Sequence, residues 1–442
     1  MRTLVLIDPD ALSRALLAQC LAGQSWRVLE ADNGDAGFEL ALKHQPAAVL
    51  CALRTPKRNG FKLCRSVREE PLLTHTRVVL TSVSQFANDR DSAFAAGADD
   101  FLVKPINPAD LLEALAKCNG GSSAMPAIQT PEEPRAAGPT MIRFWGVRGS
   151  IPTPGSETAF FGGNTSCVEV RVGEQVIILD AGSGIRRLGQ SLMKEFRNMP
   201  VNITMLVTHT HWDHIQGFPF FIPAYNPRVN IRILGYEGAV HGLRGALFEQ
   251  MQSAFFPIGL NQMASRVTFE ELEEMEFDLG GTRIRSMFAN HPGICLGYRL
   301  STPAGDVVYM PDHEAYERNE AERQRAAGST SQPGLEHARA QDELVVDFLR
   351  NADVVIADSQ YDHTEYGARL GWGHTCADDT VDLAMRARAK QLFLFHHDPD
   401  HDDEKVKAMI ARAEEKVREG GSSLLVTAAR EGTSYMLGAS QA

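Results

Sequence analysis

"LVTHTHWDHIQGFPFF", residues 206–221, decides the reading of this chain. An apolar run, MLVT, leads straight into His209, His211, Asp213 and His214, so a strand ends where an H-x-H-x-D-H cluster begins. Imidazole and carboxylate groups together suit zinc, manganese or iron. Four candidate ligands within six residues are too dense for two tight helical turns. They suit a loop wrapped round two ions.

Further candidates follow in order. His291 lies in NHPGICLGYRL and Asp312 in VVYMPDHE, while His396 and His397 are adjacent in LFLFHHDPDH. Neighbouring strand residues point to opposite faces, so only one of that last pair can ligate. Upstream, Asp180 lies in ILDAGSGIRRLG. Together these motifs resemble the metallo-β-lactamase superfamily over about residues 141–438. The resemblance implies an αββα sandwich. It assigns one ion to His209, His211 and His291 and another to Asp213, His214 and His396, with Asp312 shared and Asp180 buttressing the loop. His396 is the ligand it favours over His397. The cofactors implied are two divalent transition metals, Zn²⁺ first, with Mn²⁺ or Fe²⁺ as alternatives. A pair of such ions activates water and stabilises both attacking and leaving oxygens.

The text around His291 lacks the G-H-T-P-G motif usual in thioesterases and lactonases of this fold. Its H-P-G-I-C-L-G-Y resembles the branch holding tRNase Z and cyclic-nucleotide phosphodiesterases. Asp358 in IADSQYD and His374 in GWGHTC match an acid–histidine pair of that branch. The resemblance makes Asp213, His374 and Asp358 catalytic, with His374 protonating the leaving oxygen. Expelling an alkoxide needs such an acid, and a carboxylate can hold an imidazolium ready to donate. RFWGVRGSIPTPG and FGGNTS also resemble this branch, where they form loops beside the site. From the second, Gly163 and Asn164 are expected to bind substrate through backbone N–H groups. No long Gly/Pro-containing arm is seen between His214 and His291, and that segment includes the acidic FEELEEMEFD (269–278). The expected substrate is therefore a small phosphodiester such as a cyclic nucleotide. The alternatives are an RNA 3′-processing nuclease of tRNase Z type and a signalling scaffold with a vestigial metal site.

The N-terminal part alternates strands and helices. LVLID (4–8), RVLEA (27–31), AAVLCAL (47–53), RVVLTSV (77–83) and DFLVKP (100–105) read as strands. Residues 11–22 and 106–118 read as helices, the latter with Asn107 as N-cap and Pro108 in its first turn. Repeated strand–helix units imply a parallel sheet covered on both faces. LVLIDPD, the Pro56–Gly60 loop, Thr81 and Lys104–Pro105 make residues 1–118 resemble a response-regulator receiver, a flavodoxin-like five-stranded α/β domain. That family needs several carboxylates around Mg²⁺. Here Asp8 remains, but Pro9 stands where a second acid is expected and Ala52 replaces the phospho-acceptor. With Thr81 and Lys104 kept, this is a degenerate site, and the domain reads as a pseudo-receiver for regulation or dimerisation. Residues 100–118 are the candidate homodimer surface, and a signalling protein is a second candidate partner.

The chain has 442 residues, enough for two or three cores. The expected division is a pseudo-receiver over 1–118, a Gly/Ser/Pro linker over 119–139 and a hydrolase over 140–442. Polar residues 313–341 read as an exposed insertion. Seven scattered cysteines, never spaced C-x-x-C, read as reduced thiols. No apolar run approaches the ~20 residues of a membrane span. MRTLVLIDPD meets acid at Asp8 and has no signal-peptide core, so a cytoplasmic location is expected. Residues 1–120 carry 14 basic and 14 acidic side chains, so the net charge of −12 resides wholly in the remainder. Such a body repels long polyanions, which weighs against long nucleic acid as substrate.

Overall fold

The computed structural model describes residues 2–438, apart from 22–23, 25, 84–86, 116–138, 198, 237–241, 273–274 and 329–331. The expected linker over 119–139, except Pro139, lies outside the described residues, as does the end of the helix expected over 106–118.

The N-terminal unit is a five-stranded parallel sheet. Its order is Trp26–Ala31, Arg2–Ile7, Ala48–Ala52, Arg77–Ser82, Asp100–Val103. Strands buried on both faces explain the apolar runs: Leu4 and Leu6 pack under helices Ala11–Leu21 and Pro108–Leu115, while Val5 and Ile7 pack on the opposite side. Asn107 caps the last helix by accepting from the Ala109 N–H at 3.0 Å.

The second unit is a four-layer α/β/β/α sandwich with two seven-stranded mixed sheets. One sheet runs from Arg266–Glu271 through Val201–Leu206 to Ser434–Leu437, and the other from Glu276–Leu279 through Gly305–Met310 to Leu425–Ala428. Alternation along each strand fills the space between the sheets with Phe144, Val168, Leu179, Tyr298, Tyr309 and Phe395. Outside the first sheet, helix Ile185–Phe196 buries Ile185, Leu188 and Leu192. Outside the second lie helices Gln332–Leu349, Ala377–Arg386 and Asp403–Glu419. Two sheets covered by helices leave the strand ends free, and the candidate centre gathers on the loops there. Among the described residues no helix is long and apolar enough to cross a membrane, and the described cysteines are free thiols.

The exposed insertion expected over 313–341 is corrected. Residues Tyr316–Ala327 and Gln332–Leu349 are helices lying together. Within that range His313, Glu314, Tyr316, Asn319, Gln324 and Ala338 are buried. Further along the second helix, Val345, Val346, Phe348 and Leu349 pack in the same cluster as the sheet. The Asp342 carboxylate accepts the N–H groups of Tyr316 and Glu317 at 3.0 and 2.9 Å and closes the start of the first helix.

The two units pack together. Their apolar clusters are continuous, and Tyr236 of the sandwich donates to the Thr55 carbonyl at 2.8 Å. Lys62 pairs with Glu271 at 2.6 Å.

Candidate metal centre

The strand Val201–Leu206 ends where its neighbour continues the ladder for one more bond, from the Val207 N–H to the Leu234 carbonyl. The chain then turns out of the sheet. His209 and His211 lie on an extended loop, and Trp212–Ile215 forms a single helical turn that presents Asp213 and His214. The expected wrapped loop is thus part loop and part helix.

Two sets of donors converge. His209, His211, His291 and Asp312 form one, and Asp213, His214 and His396 the other, with donor atoms within 4.8 Å of one another in each. Asp312 sits between them. Its Oδ2 lies 3.6 and 3.7 Å from Nε2 of His209 and His291. Its Oδ1 lies 3.1 and 3.5 Å from Nε2 of His214 and His396. Asp213 Oδ2 is 3.1 Å from His396 Nε2.

The outer ring nitrogens are held. His291 Nδ1 donates to the Gly373 carbonyl, His396 Nδ1 to Gln360 Oε1, and His214 Nδ1 to Asp180 Oδ2, each at 2.8 Å. A ring that donates outward from Nδ1 turns the Nε2 lone pair inward. Asp180 in turn accepts from the Thr208 N–H at 2.7 Å and the Tyr309 hydroxyl at 2.9 Å. Asp180 and His396 both take the left-handed backbone, at φ of 60° and 62°. That conformation costs about 1–3 kcal/mol for a non-glycine residue and persists only where the surroundings fix it.

The donors fit cations. His209 Nε2 is buried with no hydrogen-bond partner. His211 Nδ1 and His291 Nε2 approach to 2.9 Å, and the Nε2 atoms of His214 and His396 to 3.3 Å. Burial and the neighbouring rings hold His209 well below the usual imidazole range, and burial foremost lowers His291, while His211 lies at the exposed side of the set. Against burial, His214 and its neighbours keep Asp213 and Asp312 well below the usual carboxylate range. Burial would lower His214 too, but Asp312, Asp213 and Asp180 push it the other way, well above the usual imidazole range. A cation that takes its Nε2 lone pair displaces a proton there, while the ionised carboxylates and the lowered imidazoles are already in the states that metal ligands need. His397 points away, and its Nε2 donates to the Ala429 carbonyl at 3.1 Å.

His374 lies beside both sets. Its ring stacks on His396 at 4.8 Å and its Nδ1 meets Asp358 Oδ2 at 2.9 Å. Burial pulls this imidazole down, but Asp358, Asp312 and Asp213 more than offset that and push it up to about 9. His374 opens on a cleft of about 470 Å³ walled by Tyr361, Arg369, Trp372 and Asp398. Trp372 is 57% exposed, with the Arg369 guanidinium 5.0 Å from its ring.

Asn164 does not offer the N–H expected of it. The Asn164 N–H donates to Glu431 Oε1 at 2.5 Å and its side-chain amide to Oε2 at 2.9 Å. The Gly163 carbonyl accepts from Thr153. Both tie loops together, so the Asn164 N–H is spent on a carboxylate and not offered to a phosphate. The residues nearer the centre are Gly149 and Ser150, whose N–H donates to Asp213 Oδ2 at 2.7 Å. A Cβ at Gly149 would overlap the His396 ring. Gly149→Ala is therefore expected to displace that ring and lower metal affinity by about 10–100-fold, as loss of an orienting partner does. Competition with a chromogenic chelator measures it. Gln360 was also missed, although it stands two residues after Asp358 in IADSQYD.

The degenerate receiver site is closed by its own lysine. Lys104 pairs directly with Asp8, which also accepts from the Ser13 hydroxyl at 2.8 Å. Thr81 and Ala52 are adjacent across the two strands. With no acceptor and the surviving acid committed, acetyl phosphate is expected to leave residues 1–115 unlabelled by intact-mass analysis. An acyl phosphate there would contradict this.

The response regulator receiver domain family matches residues 4–116, and the β-lactamase superfamily domain matches residues 175–335. The chain is 27% identical to ribonuclease Z of Thermoplasma acidophilum over 300 residues, covering 62% of this chain and 91% of that relative. It is 35% identical to the nitrate/nitrite response regulator protein NarL of Escherichia coli over 131 residues, covering 29% of this chain and 60% of NarL. Among solved structures, the metallo-β-lactamase fold protein YhfI of Bacillus subtilis has 18% identity and a TM-score of 0.45, covering 67% of this chain and 99% of that one. Human tRNase Z, short form, has 16% identity and a TM-score of 0.42, with the same coverage.

Proposed function

We propose, from the premise that this chain joins a response-regulator receiver domain to a β-lactamase-superfamily domain homologous to ribonuclease Z, that it is a dinuclear metal-dependent phosphodiesterase acting on small phosphodiesters such as cyclic nucleotides. The observation that carries the reading is the His374–Asp358 pair at 2.9 Å, stacked against the ligand His396. The two donor sets hold divalent transition metals, zinc foremost. When bound, such a pair activates water and stabilises attacking and leaving oxygens. Asp358 holds the His374 imidazolium, and His374 gives its proton to the departing ribose oxygen. Asp213 keeps its carboxylate on the second set, fixed by the Ser150 N–H.

The cleft of about 470 Å³ favours a small substrate. Trp372 offers a face for a base to stack on. The net charge of −12, all of it beyond residue 120, disfavours a long polyanion. Similarity to a ribonuclease Z favours a second reading, RNA 3′-processing. Incubation of the metal-loaded chain with a cyclic-nucleotide panel and with pre-tRNA separates the two. Nucleoside monophosphate from the panel with pre-tRNA intact supports the first; the reverse supports the second. The pseudo-receiver serves regulation or pairing, and its 100–115 face is the surface proposed for a homodimer. Sedimentation of the full chain tests that.

A further inference from the structure

The missing acceptor leaves more than a gap. Ala52 faces a cavity of about 610 Å³ whose far wall is the hydrolase. The receiver contributes Ala52, Thr81, Lys104 and Arg54; the sandwich contributes Met275, Met287, Phe288, Leu344 and Phe348. The size lies within the range of small-molecule sites, ~300–1,000 Å³, and the mixture of a mostly apolar wall with a few polar groups is theirs too. Two methionines in one wall allow it to adapt to an occupant.

The charges around the cavity are unequal in their commitments. The acids are already engaged: Asp8 with Lys104 and Ser13, Asp10 with the Leu12 N–H, and Asp347 with Arg350. Arg285 is different. Its Nε is buried with no hydrogen-bond partner, and its Nη2 reaches the Asp347 and Phe348 carbonyls only at 3.5 and 3.4 Å. A guanidinium on an apolar wall, lying 5.0 Å from the Phe348 ring, suits the anionic end of a flat organic molecule.

One residue of the cavity wall touches the loop of a metal-centre residue. Arg54 lines the cavity, and through Nη2 donates to the carbonyl of His291 at 2.8 Å. The receiver's Asp89 accepts the Gly293 N–H of the same loop at 2.7 Å. The loop carrying one metal ligand is thus held by the domain that lost its phosphorylation site.

We propose that this cavity is a regulatory site for a small organic anion with an apolar body, a carboxylate or a phosphate monoester, and that Arg54 relays its occupancy to His291. Ligand binding replaces phosphorylation as the signal this receiver transmits. By linkage, an occupant that alters metal affinity has its own affinity altered by the same factor.

The test uses the full metal-loaded chain and 8-anilino-1-naphthalenesulfonate, an aromatic anion, followed by fluorescence. One probe per chain is expected to bind. Saturating probe is expected to change metal affinity, read by chelator competition, by about fivefold or more. Ala52→Phe fills the cavity and should weaken the probe at least about tenfold. Arg285→Gln removes the cation while keeping bulk, and should weaken it several-fold with the melting temperature little changed. Should Ala52→Phe not fold, Arg285→Gln decides. Displacement by 1-naphthoate or by 1-naphthyl phosphate distinguishes carboxylate from phosphate. Probe binding unchanged in Arg285→Gln, metal affinity indifferent to saturating probe, or failure of both competitors each overturns the proposal. None of these readouts depends on which phosphodiester the enzyme cleaves.

Discussion

Asp312→Ala is expected to empty both metal positions and abolish phosphodiester hydrolysis with every substrate. Its two oxygens face different donor sets, Oδ2 toward His209 and His291, Oδ1 toward His214 and His396. Removing it leaves each set short of a ligand and takes away the charge that the two cations would share. Asp180→Ala should do less. It strips the partner that orients His214 and should cost about 10–100-fold in metal affinity. Metal content by elemental mass spectrometry and circular dichroism on the same samples check both points. The fold should survive, because the sandwich core of Phe144, Tyr298, Leu300 and Phe395 does not include the carboxylate. A stable Asp312→Ala protein that keeps two ions and full turnover contradicts the assignment.

His374→Ala is expected to slow hydrolysis of a cyclic nucleotide by ~10²–10⁴ while largely sparing bis-p-nitrophenyl phosphate. A ribose alkoxide is a poor leaving group and needs a proton as it departs; p-nitrophenolate is stable without one. Asp358→Asn should give the same pattern more mildly, because it weakens only the group that holds the imidazolium. Asp358 also accepts the N–H groups of His313 and Gln360, at 3.1 and 3.0 Å, so an isosteric amide is the apt change. Metal-ligand variants damage both substrates together. If His374→Ala slows both equally with metals retained, the proton comes from elsewhere.

The sequence carried the fold wherever periodicity had one meaning. Runs such as LVLID and RVVLTSV, too short for helices, read as strands buried on both faces, and they form the strands Arg2–Ile7 and Arg77–Ser82. The dense cluster at 209–214 was legible because imidazole and carboxylate text at a strand end has few other uses; His291, Asp312 and His396 were legible only through the resemblance to the metallo-β-lactamase superfamily. What composition hid was partnership. Residues 313–341 looked like a solvated excursion because most of their side chains are polar, yet composition does not say that Glu314, Asn319 and Gln324 are buried. Gly163 and Asn164 looked like phosphate donors because a Gly-Gly-Asn turn often is one; the taker of the Asn164 N–H, Glu431, lies far along the chain. Gly149 fell in a stretch expected beside the site, but its own role was silent, since that role is to be absent from the space of the His396 ring. The docking of the receiver on the loop of His291 was equally silent. It depends on Arg54 and Asp89, ordinary surface residues until the sandwich is set against them.

The most direct test of the account is a metal titration of activity. The chelator-stripped full chain is given Zn²⁺ in steps, and hydrolysis of bis-p-nitrophenyl phosphate is followed at each. The account predicts no turnover without metal, and a rise that reaches its plateau at about two ions per chain. Turnover by the stripped protein, or none at two bound ions with Zn²⁺, Mn²⁺ or Fe²⁺, contradicts it.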